Sequence, residues 1–276
     1  MRLLIIGLGT LLVVAFVWTT MWFWGQGLSY KPYDNPLLSW ERPRGKPRLA
    51  LSTNDIQQAK DFLQRNPQGI LELNLLVSRD GLFFTADSQD LQFIDKLPQT
   101  DPKDFQGSHH YDYDFAFLQS HAPHIIPAEK WLQLKPAFWI LNIEDNATGI
   151  NNQVVSWVEK NKISDKSVFT SDVDVVITSL KEKKPLWIYG TSFSDLTKIL
   201  TLASVRLESI ASFNRDYFIT PVRWDRRYVL NHDVIGEMRR RFKKVAIGPV
   251  HTDQDRARAL TLKPDILILG PELAGK

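Results

Sequence analysis

Short apolar runs alternate with amphipathic stretches through most of this chain, and that alternation constrains the fold more than any other feature. Arg48–Ser52 reads as a strand, and residues 54–65 read as a helix with Thr53 or Asn54 as its cap. Residues 70–78 read as a second strand, turned by Arg79-Asp80-Gly81 into a short apolar strand over 82–85. Strands follow over 137–143, Ser167–Thr170, 185–189, 244–247 and 265–269, with helices over about 151–160, 173–181, 194–201, 232–241 and 253–260. Such βα repetition argues for an α/β chain with a parallel sheet covered by helices. An open doubly wound sheet and a closed (β/α)8 TIM-type barrel share the pattern. A folded part running from about Arg48 to Gly275, about 228 residues, favours the barrel.

The N-terminus departs from a soluble pattern. Residues 3–24 are 22 consecutive positions without a charge, rich in Leu, Val, Ile, Phe and Trp. As a helix they would span roughly 33 Å, enough to cross a hydrocarbon core of about 30 Å. Trp18, Trp22, Phe23 and Trp24 crowd the C-terminal end, where aromatic rings suit a membrane interface. A cleaved signal peptide is the alternative, but its apolar stretch is shorter, and no small-x-small site follows here. The expectation is one N-terminal transmembrane signal-anchor over residues 1–24. Arg2 precedes the run, while Lys31, offset by Asp34, is the only base soon after it. This places the N-terminus in the cytoplasm and exports the globular part, to the periplasm in a Gram-negative cell. Residues 25–47 hold Pro32, Pro36, Pro43 and Pro47 and read as an extended linker to a domain over 48–276.

Cysteine is absent, which excludes disulfides, thiolate metal sites and Cys nucleophiles. The formal charge is only +3, so no nucleic-acid partner is expected. Two basic clusters occur: Arg223, Arg226 and Arg227 around Trp224, and Arg239, Arg240, Arg241, Lys243 and Lys244. Both read first as solvated faces. An anionic lipid surface is the partner that would otherwise suit them, with a protein partner as the alternative. His109, His110, His121 and His124 fall close together among Asp112 and Asp114. Their spacing matches no metal motif, and they read as a solvated loop.

The run Ile70-Leu71-Glu72-Leu73-Asn74-Leu75-Leu76-Val77-Ser78-Arg79-Asp80-Gly81 resembles the glycerophosphodiester phosphodiesterase family, in which E-L-D-V-x-x-T-x-D-G precedes a strand ending in His-Asp. Ile126-Pro127-Ala128-Glu129-Lys130-Trp131-Leu132 is similar to the family's I-P-T-L-E-E-x-L. Phe138-Trp139-Ile140-Leu141-Asn142-Ile143-Glu144 is similar to its strand ending in E-x-K. Lys263-Pro264-Asp265-Ile266-Leu267-Ile268-Leu269-Gly270-Pro271 resembles its G-V-D-G-I-I-T-D-x-P. The likeness runs in order from about Leu49 to Pro271 and implies a (β/α)8 barrel, a role in lipid metabolism and phosphoric diester hydrolysis.

Carried over residue by residue, the resemblance implies a degenerate site. The His-Arg of the first strand falls on Leu51 and Ser52. The metal-binding E-x-D keeps Glu72 but has Asn74. The second histidine falls on Ala86, with Asp87 retained, and E-x-K keeps Glu144 with Asn146 for the lysine. No His lies between Arg48 and Asp55 or between Gly81 and Leu91, so a register shift restores neither. Leu51 and Ala86 cannot transfer protons, and acid–base help is worth about 10²–10⁴-fold. The expectation is a pseudoenzyme acting as a binding or scaffold protein. The residual family positions are Glu72, Asp87 and Glu144, and Glu72, Asn74 and Glu144 form a weak site for Mg²⁺ or Ca²⁺, neither required. A working hydrolase with a rearranged site is the alternative.

Overall fold

The computed structural model describes residues 2–31, 34–42, 45–86, 90–94, 109–224, 227–228 and 230–275, and side chains at residue 7 and from residue 9 onward. Eight strands lie side by side in parallel: β1 (Arg48–Ser52), β2 (Ile70–Val77), β3 (Trp139–Ile143), β4 (Ser167–Thr170), β5 (Ile188–Tyr189), β6 (Tyr217–Thr220), β7 (Lys244–Val250) and β8 (Ile266–Leu269). Their spatial order is β5-β4-β3-β2-β1-β8-β7-β6. This is a (β/α)8 barrel with one seam. There, side chains and loops replace the ladder: Asp216 N–H donates to Tyr189 O at 2.8 Å, and Ile219 N–H donates to Thr191 Oγ1 at 2.7 Å. The barrel reading of the alternating pattern holds, and β6 is the strand that the pattern did not reveal.

The period-2 pleat divides each strand between two cores. Leu71, Leu73, Leu141, Ile143, Phe169, Phe218, Val245, Ile247 and Leu267 face the surrounding helices. Ala50, Ile70, Ile140, Val168, Ile188, Tyr217, Ala246, Ile266 and Ile268 fill the barrel interior. The helices on the outside are α3 (Ile56–Arg65), α4 (Ile150–Asn161), α5 (Asp174–Lys183), α6 (Phe193–Ser204), α7 (His232–Arg240) and α8 (Asp253–Thr261), preceded by α1 (Arg2–Gly27) and α2 (Pro36–Ser39). Side-chain caps start several of them. Asp55 caps α3, one residue beyond the expected Thr53 or Asn54, by accepting from Gln57 N and Gln58 N, and Ser192 caps α6. The strand expected over 82–85 is not a barrel strand. Phe83–Thr85 pairs antiparallel with β2 and with Ile126–Pro127, and begins an insertion with its own small core of Leu76, Phe84, Phe115, Leu118 and Ile125.

The stretch expected to be an extended linker carries α2. Asn35 caps this turn, and Leu37 is buried in the interior core beside Ala50, Ile70 and Phe138. Its carbonyl accepts a hydrogen bond from the Tyr217 hydroxyl, and Trp40 stacks on the Arg48 guanidinium at 4.2 Å. Residues 36–40 therefore close the barrel at the N-terminal ends of its strands. Burying one leucine in this way stabilises by about 1.5–3 kcal/mol.

The expectation of a transmembrane anchor requires correction. The helix exists as α1, but among the described residues no helix is long and apolar enough to cross a membrane. Two physical reasons account for the difference. Trp18 Nε1 donates to Val205 O at 2.9 Å, and Arg240 donates to the carbonyls of Gly25 and Leu28, so the last third of α1 packs on the barrel. Residues 3–17, which precede that contact, make about 22 Å of helix, short of a hydrocarbon core of about 30 Å. Gly25 is required at the contact because an added Cβ would overlap the Ser209 hydroxyl and Ile210.

Candidate functional site

The C-terminal ends of the strands surround a cavity of about 480 Å³. β1 contributes Ser52, β2 Glu72 and Asn74, β3 Asn142 and Glu144, and β4 Thr170 and Asp172. Phe193, Arg223 and Trp224 stand on the other side, with the Phe193 and Trp224 rings 5.0 Å apart. The polar residues share the inward-facing parity of the apolar interior beneath them, so the cavity is the upper layer of the barrel core. At Gly248 the β7 backbone passes so close to Ile268 that an added Cβ would overlap its carbonyl oxygen. Its φ of +145° also disfavours other residues.

The charges in this cleft are mostly of one sign. Glu72 is 8% exposed, and burial pushes its carboxyl up to about 7. The Ser52 hydroxyl, donating to it, pulls the other way, while Glu144 and Asp172 raise it further. Glu144 is an exposed residue whose carboxyl still lies above the usual range. Desolvation is the first cause, followed by Asp145 and Asp172, with His110 opposing. Arg223, the cation on the rim, is already bound: its Nε donates to Asp255 Oδ1 at 2.6 Å.

The expected metal ligands Glu72, Asn74 and Glu144 line the same cavity. Three carboxylates, with Asp172, and two amides line it, and the Asn74 amide oxygen already accepts from Asn142 Nδ2 at 3.2 Å. Among the described residues, no group of three or more His, Cys, Asp or Glu is placed to hold a metal ion. The residues present do not fit a dedicated Mg²⁺ or Ca²⁺ centre. Asp87 lies outside the described residues. Leu51 points away from the cleft into the layer beneath the helices, and Ser52 is the residue that β1 presents to the cavity. Of the two positions that correspond to the family's His-Arg, Ser52 is therefore the one that faces the cleft. Ala86 is buried in the insertion core.

One histidine departs from the expected solvated loop. His109, His121 and His124 are exposed, but His110 Nε2 lies 2.5 Å from Asp145 Oδ1, and its side chain is only 17% exposed. Asp145 is buried, and its other oxygen accepts from Val77 N at the end of β2. This imidazole–carboxylate pair adjoins Glu144 and was not singled out from the sequence. Thr170, Asp172 and Phe193 were missed as well: Thr170 ends β4, Asp172 lies two residues beyond it and Phe193 four beyond β5, where no local pattern marks them.

The basic clusters also differ from solvated faces. Arg241 is 2% exposed, bonded to Glu237 and to the carbonyls of Glu208, Ser209 and Ala211. Arg226 lies outside the described residues.

No family model matches the chain, and no curated protein sequence matches it. Solved structures do match in fold. The glycerophosphoryl diester phosphodiesterase domain of an uncharacterized Mycobacterium tuberculosis protein superposes with a TM-score of 0.59 at 14% identity, covering 83% of this chain and 98% of that one. A glycerophosphodiester phosphodiesterase from Parabacteroides distasonis gives 0.57 at 13% identity, over 83% and 96%. One from Thermotoga maritima gives 0.55 at 14%, again over 83% and 96%. The chain therefore has the fold of the glycerophosphodiester phosphodiesterases.

Proposed function

We propose that this is a glycerophosphodiester phosphodiesterase-like barrel that has lost catalysis and acts as a binding or scaffold protein, attached to a membrane through α1. One observation carries the reading. Among the described residues lining the cleft there is no imidazole or amine, and three carboxylates face one arginine that Asp255 already holds. A phosphodiester anion entering this cleft meets net repulsion, and the Glu72 carboxyl is its one acid near neutrality, with no imidazole beside it to complete the acid–base pair. The protein needs no metal in this reading. The cleft's own groups favour a neutral or cationic polar ligand, with Phe193 and Trp224 offering ring faces at the mouth. Attachment rests on exposed Leu11, Leu12, Val13, Val14, Phe16 and Phe23, an apolar surface that water alone does not satisfy.

A second reading has a specific observation behind it. The His110–Asp145 pair beside Glu144 is an acid–base arrangement that could serve a rearranged phosphoric diester hydrolase. One assay separates the two. Full-length protein is incubated with glycerophosphodiesters at pH 6–9, with Mg²⁺, with Ca²⁺ and with chelator. The binding reading expects no turnover above background under any condition. Turnover that His110→Ala abolishes would replace it with the hydrolase.

A further inference from the structure

A second cavity opens at the opposite end of the barrel, where the strands begin. It has a volume of about 490 Å³ and is lined by Arg42, Arg239, Lys243 and Lys244, with Asp34 and Asp265 as its acids and Phe242 at its edge. Asp265 is largely committed: one oxygen accepts from Val245 N at 2.9 Å, and the other lies 3.6 Å from Arg42 Nε. Arg239 donates to the carbonyls of Leu262 and Lys263, and Lys244 Nζ donates to Trp40 O at 2.6 Å, which fixes both cations at the wall. Lys243 has no hydrogen-bond or ion-pair partner among the described residues. Burial and the neighbouring Lys181 and Arg241 hold its amine below the usual range, against an opposing pull from Asp216. Lys244 is lowered too, first by burial and then, against Asp265, by Arg48 and Arg42. Within the cavity Arg42 is one of the cations that depress Lys244, and a shared anion would relieve that repulsion.

The position of the cavity says which anion. Arg239 lines it, while its neighbour Arg240 holds the carbonyls of Gly25 and Leu28 at the end of α1. Asp34, seven residues after the end of α1 at Gly27, lines the cavity. The exposed Phe23 and Trp24 on the last turns of α1 are therefore the part of its apolar surface nearest in the chain to this basic hollow. Phe242, 53% exposed with a φ of +58°, projects from the same rim. An apolar helix, an exposed aromatic ring and a basic hollow placed together match the layers of a bilayer from acyl chain to head group.

We propose that this cavity holds the anionic head group of a phospholipid in the leaflet that α1 enters. It rests on the membrane attachment proposed above, and the bound phosphodiester sits among Arg42, Arg239, Lys243 and Lys244. The acidic cleft at the other end of the barrel then faces away from the lipid.

The test uses full-length protein in neutral detergent and three probes: dihexanoyl phosphatidylglycerol, dihexanoyl phosphatidylcholine and inorganic phosphate. Calorimetric titration is expected to give roughly tenfold tighter binding of the glycerol lipid than of either other probe. Lys243→Gln should weaken it about fivefold, and Arg239→Gln with Lys243→Gln about 25-fold, from about 1 kcal/mol per basic group at a lipid surface. Lys243 supports nothing else, so the single variant keeps the test valid should the double variant fail to fold. Equal binding of inorganic phosphate would make this a free-anion site, and equal binding of the choline lipid would remove head-group selection. Unchanged affinity in Lys243→Gln would place the lipid elsewhere. Each of these overturns the proposal. Short-chain lipids require no bilayer, so failure of α1 to carry the protein into phosphatidylcholine vesicles is read separately, by flotation.

Discussion

His110 Nε2 and Asp145 Oδ1 lie 2.5 Å apart, joining the insertion between β2 and β3 to the residue that follows Glu144. The second Asp145 oxygen accepts from Val77 N, so one buried carboxylate ties three segments together at the rim of the cleft. Removing it leaves a backbone N–H and an imidazole without their acceptor, at a cost of about 2–3 kcal/mol. Asp145→Ala should lower stability by that amount in urea titrations. Hydrogen exchange should quicken most in residues 109–127, because the insertion loses its tie while the barrel ladder stays intact. A uniform increase across the barrel strands would show that the contact serves the whole fold instead.

Glu72 links the cleft to pH. Its carboxyl sits at about 7 in the folded protein, against an ordinary value of 4.5. Between those values the folded chain binds more protons than the unfolded chain, so stability falls as pH rises through this window. The penalty is absent below the unfolded value and complete above the folded one, where it reaches roughly 3 kcal/mol. Glu144, raised in the same direction, adds to it. Melting temperature is therefore expected to drop from pH 5 to pH 8, and Glu72→Gln should flatten most of that slope. A parallel slope in the variant would assign the effect to other acids.

Much of this was legible in the sequence, and the exceptions have local causes. Glu72 and Glu144 stand out because each is an acid set into or directly after an apolar strand. Seven of the eight barrel strands show through their apolar runs. β6 did not, since Tyr217–Thr220 is four residues long and ends against Pro221. That Ser52 and not Leu51 faces the cleft follows from the pleat, which motif order alone does not give. His110 was unreadable since its partner lies 35 residues away and the fold buries the pair. Leu37 was hidden in a proline-rich stretch whose only pattern is the absence of one.

That hidden residue gives a third prediction. Leu37 reaches the interior core beside Ile70 and Phe138, and its carbonyl accepts from the Tyr217 hydroxyl. Leu37→Ala removes buried methyl groups and leaves a void at the barrel floor, for a loss of about 2–4 kcal/mol. Tyr217→Phe, which keeps the ring and loses the bond, should cost about 1 kcal/mol. Chemical denaturation of the full chain measures both. A Leu37→Ala loss within experimental error would mean that residues 36–40 detach freely and the floor is open.

The last prediction concerns metal removal. At neutral pH the Glu72 carboxyl is about half protonated, so a cation binding there would have to displace a proton. The Asn74 oxygen is engaged by Asn142, and Glu72, Glu144 and Asp172, though all on the cleft wall, are not placed together to form a divalent centre. Chelator should accordingly leave the melting temperature of the purified full chain unchanged at pH 7. Millimolar Ca²⁺ or Mg²⁺ should produce no shift that Glu72→Gln with Glu144→Gln removes. A site occupied at one hundred times its dissociation constant would stabilise by about 2.7 kcal/mol, well within what a melting curve resolves. A drop with chelator, restored by Ca²⁺ in the native protein but not in the double variant, would show a working cation site. The cleft's negative charge would then be largely neutralised, and the case against an anionic ligand would fall with it.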